Sequence, residues 1–273
     1  MLAVLLRALT LAFQCGMVGG AVFALAVADK HERPRILRMA ALSAVAAAVA
    51  SAGTLAVQVW QLMAALDLGL DEALGAGFVL HHLGFIGATL ATAALCRIPR
   101  PLPWLAVITA ALSLVLSVRG GHAASRVDGR MLAMTANWLH QLAAGVWLGG
   151  IPFLLLAMHT SDAPARIRKC RRFSMLAIFA VTGLVLSAAM LAVIHVGSWA
   201  ALAGSDFGAM VMMKLMLLGG LLLLGFGNLR AGPHLDQPAL LARLRAFATA
   251  EIAIGFAVLV VAASLASQAP PAG

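Results

Sequence analysis

Long apolar stretches separated by short polar segments dominate the chain. Each stretch approaches the length of about 20 helical residues that a bilayer core requires. Apolar runs of this length are typical of membrane-spanning helices, so the pattern predicts an all-α fold. It would be a bundle of eight transmembrane helices in a single integral membrane domain, residues 1–273. The predicted helices cover residues 3–28, 39–66, 79–96, 103–118, 131–158, 173–197, 209–229 and 246–267.

The composition agrees with this class of protein. Hydrophobic residues make up 63% of the chain and charged residues 11%, against roughly 25% charged residues in ordinary soluble domains. The net charge of +9 is spread over short loops, which excludes a nucleic-acid-binding surface. No phosphate-binding, dinucleotide-binding or nucleophile-elbow motif is present. We therefore predict a protein that lies in the lipid bilayer and is not an enzyme.

The basic residues predict the orientation. Fourteen Lys and Arg residues lie in the first, third, fifth and seventh loops, and three lie in the second, fourth and sixth. Because basic loops stay on the cytoplasmic side, both termini are predicted to lie outside. The first stretch lacks a basic start and is followed at once by basic residues, which favours a retained helix over a cleaved signal peptide.

Two Gly-Gly pairs suggest that the two halves are related. Gly19 and Gly20 in the first helix correspond to Gly149 and Gly150 in the fifth. Each pair precedes a basic inner loop and a further apolar helix. Four helices in each half would give both halves the same direction, so the pattern predicts a parallel 4+4 repeat.

The fifth predicted helix carries polar side chains in a stretch without charge, residues 131–158. At 3.6 residues per turn, Asn137, His140, Ala144 and Trp147 share one face, and Met134 lies close to it. His140 lies about 14 Å into the helix at 1.5 Å per residue. An imidazole at this depth is costly unless it faces a partner, a ligand or water. This face is therefore the first candidate for a site.

Further histidines and methionines cluster toward the predicted outer side. Imidazole and thioether together suit copper, and methionine favours Cu(I) over Cu(II). His81 and His82 are adjacent on one helix, so only one of them faces a common site well. The predicted metal ligands are His140, His195, His122, His82, His81, Met134, Met190, Met210 and Met213.

A few polar residues inside the other helices need partners. Lys214 either snorkels outward, pairs with Asp206 or holds an anionic group. Glu251 and Asn228 lie toward the predicted inner side. Glu251 is interpreted as an exit ligand for a cation, as a proton carrier or, preferably, as an ion-pair partner of Arg230 or Arg245. Together with Asn137, these residues are candidates for a transport path.

The order of several short motifs resembles the copper resistance protein CopD family. They are Gly121-His122-Ala123, His140 with Trp147-x-Gly149-Gly150, Arg171-Arg172-Phe173-Ser174, His195-Val-Gly-Ser, Asp206-Phe207-Gly208, Lys214 and Asn228. The resemblance covers mainly residues 119–265, so we divide the chain into a first four-helix half, residues 1–118, and a CopD-like second half, residues 119–273.

The resemblance implies a multi-pass protein of the bacterial inner membrane that carries copper from the periplasm toward the cytoplasm. It also implies a small periplasmic copper carrier of the CopC type as a partner, and it transfers metal-binding roles to His122, His140 and His195. Two alternatives remain open. One is a membrane redox protein with b-type haem held by His140 and His82 or His195. The other is a copper delivery or assembly factor without net transport. The oligomeric state does not follow from the residues.

Overall fold

The computed structural model describes residues 1–98, 102–119, 129–196 and 204–266, apart from the side chains of residues 195, 196, 206 and 207. In these ranges every regular element is a helix, so the predicted all-α fold is confirmed. A 3₁₀ helix, Gly232–His234, precedes the last α-helix. Numbered in chain order, the α-helices are α1 Leu2–Ala26, α2 Arg33–Leu66, α3 Leu70–Leu74, α4 Gly77–Leu95, α5 Pro103–Arg119, α6 Arg130–Thr160, α7 Ala163–Val196, α8 Asp206–Ala231 and α9 Pro238–Leu265.

Seven helices of the described chain are long and apolar enough to cross a bilayer, namely α1, α2, α4, α6, α7, α8 and α9. The helix α5 is also apolar but is shorter, at 17 residues. The chain is therefore a multi-pass membrane protein.

Three helices begin earlier than the hydrophobic pattern predicts. The structure starts α2 at Arg33, α7 at Ala163 and α9 at Pro238, whereas the apolar stretches begin at residues 39, 173 and 246. Proline stands in the first turn of α2 and of α9, where its fixed φ suits a helix start. Lys and Arg are good helix formers, so the helices continue through the basic segments beyond the apolar run.

Two helices approach each other very closely where the two Gly-Gly pairs meet. A Cβ atom added to Gly149 of α6 would lie 1.8 Å from the Cys15 carbonyl oxygen of α1. A Cβ atom added to Gly19 would lie 2.1 Å from the Gly149 carbonyl carbon. One turn away, the rings of Phe23 and Phe153 are 6.1 Å apart between centroids. Only glycine permits backbones to approach this closely, so the glycine pairs set the crossing of α1 and α6.

The other helices are arranged around this crossing in two similar sets. The helix α2 packs along α1 as α7 packs along α6, and α4 pairs with α5 as α8 pairs with α9. Both α2 and α7 contain 34 residues, and α7 begins and ends 130 residues after α2. One contact differs between the sets, because α4 packs extensively against α2 whereas α8 touches α7 only slightly.

An ion-pair network joins the segment between α1 and α2 to the start of α7. The Lys169 ammonium, whose side chain is 1% exposed, donates to Glu32 Oε1 and lies 2.8 Å from Ser161 Oγ. Arg168 pairs with Asp29 at 2.8 Å. Burial raises the pKa of the Asp29 carboxyl, but its hydrogen bond with Arg168 and the charges of Arg168 and Lys169 outweigh this effect and lower the pKa overall.

Candidate metal site

His140 lies at the junction of α6 and α7. Its Nδ1 is 3.2 Å from the Ser187 hydroxyl oxygen of α7. That hydroxyl donates its single hydrogen to the Leu184 carbonyl oxygen at 3.0 Å, so it accepts from His140 Nδ1–H. The Nε2 atom then carries the lone pair. A metal-binding histidine has this arrangement, with one nitrogen fixed by a hydrogen bond and the other open to a metal.

Lys214 of α8 belongs to the same neighbourhood. Its ammonium interacts electrostatically with His140, and its side chain is half-buried. The site therefore draws on three helices, α6, α7 and α8. The side chain of Asp206, the other predicted partner of Lys214, lies outside the described residues.

A row of amide side chains continues from this site toward α1. Gln14 Nε2 donates to Gln141 Oε1 at 2.8 Å, and Gln141 Nε2 donates to Asn137 Oδ1 at 3.3 Å. Within the described part of the chain, the Gln14 Oε1 atom is buried without a hydrogen-bond partner. Asn137 was predicted, whereas Gln14 and Gln141 were missed. The signal available for finding them was a polar amide in the middle of an apolar stretch, on α1 for Gln14 and on α6 for Gln141.

His82 lies in a different setting from His140. Its Nδ1 is 3.0 Å from Ser51 Oγ of α2, and its ring meets Phe78 edge-on, with 6.5 Å between centroids. The neighbouring His81 is half-buried. Both histidines belong to α4 in the first half of the chain, and the observed contacts of His82 connect it to α2 rather than to the His140 neighbourhood.

The predicted methionine ligands vary in exposure. Met134 and Met210 are half-buried, whereas Met190 and Met213 are 38% and 47% exposed. Among the residues that the structure describes, no three His, Cys, Asp or Glu side chains come together in a metal-binding group. His122 and the side chain of His195 lie outside the described residues, so their relation to His140 stays a prediction.

The preferred interpretation of Glu251 as an ion-pair partner of Arg230 or Arg245 is wrong. Asn228 Nδ2 of α8 donates to Glu251 Oε1 of α9 at 3.2 Å. Arg230 instead stacks on the Phe226 ring at 4.5 Å, and Arg245 donates to a backbone carbonyl oxygen at the end of α6. Arg230 is thus held by a ring on its own helix and Arg245 by the end of α6, so both guanidinium groups have partners other than Glu251.

The fold and these buried polar contacts define a multi-pass membrane protein with an imidazole site between three helices. Residues 167–265 match the family model described as Copper resistance protein D. This match confirms the resemblance to that family over most of α7 to α9, a stretch of 99 of the 273 residues. No curated protein and no solved structure matches the chain.

The family match divides the predicted site residues. It includes Met190, His195, Asp206, Met210, Met213, Lys214, Asn228 and Glu251, whereas His122, Met134, Asn137 and His140 precede it. The resemblance of residues 119–166 to the family therefore rests only on the short motifs found in the sequence.

Proposed function

We propose that the protein carries copper across the bacterial inner membrane, from the periplasm toward the cytoplasm, through a site centred on His140. One observation carries this proposal: Ser187 fixes His140 Nδ1, which leaves Nε2 as the nitrogen whose lone pair would bind a metal. Neutral imidazole is a suitable copper ligand. The family match that begins at residue 167 supplies the link to copper.

The topology of this proposal has eight spans and both termini in the periplasm. The apolar helix α5, Pro103–Arg119, is the eighth span. The Arg168–Asp29 pair and the hydrogen bond from Arg245 to the Met158 carbonyl oxygen support the orientation. These contacts bring the segment between α1 and α2, the basic start of α7 and the basic start of α9 to one end of the bundle. Basic residues at one end favour a cytoplasmic location for that end.

We further propose that the two sets of four helices form a parallel repeat. Equal lengths of α2 and α7, the 130-residue offset between them and the meeting of both Gly-Gly pairs support this relation. A repeat axis between α1 and α6 would place the His140 site beside the interface of the two halves, where sites of repeat-built transporters often lie.

Methionines on the same helices as His140 and Lys214 support Cu(I) as the transported ion. Met134 is on the same helix as His140, and Met210 and Met213 are on the same helix as Lys214. Weak sites with few ligands would keep the ion mobile, since a site that binds too tightly does not conduct. A periplasmic carrier of the CopC type would deliver the ion to this side of the protein.

The experiment is copper uptake into proteoliposomes that contain the full chain and an internal Cu(I) indicator. The wild-type protein is expected to load the vesicles, and His140→Ala is expected to reduce the uptake rate at least about tenfold, as loss of a metal ligand does. His159→Ala is the matched control, because His159 lies on the same helix but is exposed and bonds to its own helix. Wild-type protein that binds copper without uptake would instead indicate a delivery factor.

Haem binding is the second candidate, and the position of Lys214 beside His140 favours it. A cation near an axial histidine would suit a haem propionate. Purified protein with a Soret band that shifts on reduction would favour this candidate over copper transport.

A further inference from the structure

The pair formed by Glu251 and Asn228 lies between α8 and α9, away from the metal site. Glu251 is 3% exposed and Asn228 is 9% exposed. Asn228 Nδ2 donates to Glu251 Oε1, while Asn228 Oδ1 is buried without a hydrogen-bond partner among the residues that the structure describes. A Cβ atom added to Gly225 would lie 3.4 Å from Glu251 Oε1 and 4.0 Å from Trp147 Cζ2, so Trp147 of α6 borders this pocket.

Charged groups on the surrounding elements engage other partners. On α9, the Arg243 guanidinium stacks on Phe247 at 5.0 Å and Arg245 bonds to the Met158 carbonyl oxygen. On α8, Arg230 stacks on Phe226. In the described residues, no Lys, Arg or His lies within ion-pair distance of Glu251.

The remaining titratable groups on the packed elements face elsewhere. Arg7 of α1 donates to the Ala266 carbonyl oxygen at the far end of α9. Lys214 is 14 residues from Asn228 along α8, or about 21 Å at 1.5 Å per residue. His159 of α6 and His234 of the 3₁₀ helix are exposed, and His140 bonds to Ser187.

A carboxylate in this pocket would have one neutral amide as its partner. Burial of an ionised carboxylate without a compensating cation is very costly, and such groups take up a proton instead. A protonated Glu251 would also have a hydrogen to donate. Asn228 Oδ1 lacks a donor and belongs to the same planar amide that already bonds to Glu251. An acid–amide pair would satisfy both side chains.

We propose that Glu251 and Asn228 form a proton-binding site in the inner part of the second half. The pocket suits a proton better than a metal ion, because Mg²⁺ and Ca²⁺ require six or more oxygen ligands. The described residues offer only one carboxyl and one amide here.

Trp147 connects this pair with the face of α6 that carries His140. Trp147 is seven residues from His140, or about 10 Å along the helix. Both residues belong to the face of α6 that also carries Asn137. A proton on Glu251 could therefore respond to a charge that arrives at His140. This coupling, unlike the proton site itself, rests on the proposed copper transport.

Infrared spectroscopy of the full-length protein in liposomes tests the proton site without copper. At neutral pH the wild-type protein is expected to show the carbonyl stretching band of a protonated carboxylic acid, sensitive to deuterium. Glu251→Gln should abolish the band. The control Glu72→Gln should leave it unchanged, because Glu72 is exposed. A neutral-pH band of equal intensity in wild type and Glu251→Gln, or no band in either, would overturn the proposal.

Asn228→Leu provides a second test that keeps the carboxyl group. The band should persist and move to higher frequency, because its hydrogen bonds to the amide are lost. An unchanged band position would overturn the proposed pair. A band that disappears on addition of Na⁺ or Ca²⁺ at constant pH would show that a metal cation is the ligand, which would also overturn it. Failure of copper uptake by the wild-type protein would remove only the coupling.

Discussion

The α1–α6 crossing and the α7–α8 side of the molecule differ in how the helices are packed. In the most apolar part of α1 and of α6, 56% of the residues are buried, against 17% in α7 and 6% in α8. The crossing is built from glycines that bring two backbones together, whereas α7 and α8 touch only slightly. The loosely packed stretches of α7 and α8 are the more apolar ones, with mean hydropathy of 2.5 and 2.1 against 1.8 in α1 and 1.7 in α6, so greater hydrophobicity does not explain the tighter packing of the crossing.

This difference separates a tightly packed axis from a loosely packed side that carries polar groups. Lipid is as apolar as leucine, so close packing of small residues determines which helices adhere in a membrane. The helices α1 and α6 meet in this way. His140 of α6 interacts with Ser187 of α7 and with Lys214 of α8, two helices that have few mutual contacts. An ion that passes between helices requires such an arrangement, because a fully packed interface has no room for it.

Gly149→Ala should cause the largest loss of stability, because it disrupts the α1–α6 crossing. The added methyl group would overlap the Cys15 carbonyl oxygen, at 1.8 Å, so α1 and α6 must separate. We expect a loss of about 3 kcal/mol or more in unfolding free energy, at the upper end of overpacking effects. Unfolding in mixed detergent micelles measures this loss. Gly220→Ala on α8 is the control, since nothing lies within 4 Å of its added Cβ. Equal stability of both variants would contradict the proposed axis.

Lys169→Met tests whether α7 is held to the first half at its basic end. The variant leaves Glu32 and Asp29 without their buried cation, so we expect a loss of about 2 kcal/mol, reduced from the fully buried case because both carboxyls are partly exposed. Thermal unfolding in detergent measures the loss. Lys30→Met should have little effect, because Lys30 is exposed. A Lys169→Met protein as stable as Lys30→Met would show that the network does not stabilise the fold.

The sequence pattern alone predicted the helical fold, the multi-pass class and the polar face of α6. Periodicity and apolar length decide these features, and they are local. The pairing of Glu251 with Asn228 and of Gln14 with Gln141 was not predicted, because it depends on which helices become neighbours. The Gly-Gly pairs were noticed as an echo between the halves, but nothing local shows that they meet.

Ser187→Ala tests the His140 site on the loosely packed α7–α8 side of the molecule. It removes the acceptor that orients His140 Nδ1–H, so copper affinity should fall about tenfold, as it does on loss of a group that supports a metal ligand. Competition with a Cu(I) chelator measures the affinity. Thr182→Val on the same helix should not change it, because Thr182 is exposed and bonds to its own helix. Equal affinities in the two variants would exclude a role for Ser187 at the site.

Asp29→Asn tests the ion-pair network at the start of α7 through its dependence on pH. The pKa of Asp29 is lowered in the folded chain, so its ionised form stabilises the protein above the ordinary value of 3.8, and this contribution disappears as pH falls through the lowered pKa. The wild type should be more stable than the variant by about 1 kcal/mol at neutral pH. The difference should vanish only well below pH 4. Thermal unfolding across this range would contradict the account if the difference were independent of pH.

The most direct test of the central claim is copper content together with the absorption spectrum of the purified protein, its His140→Ala variant and its His159→Ala variant, all loaded with Cu(I). The account predicts bound copper in the wild type and in His159→Ala, its loss in His140→Ala, and no Soret band. Equal copper in His140→Ala would remove His140 from the site. A Soret band lost with His140 would contradict the account and identify this histidine as a haem ligand.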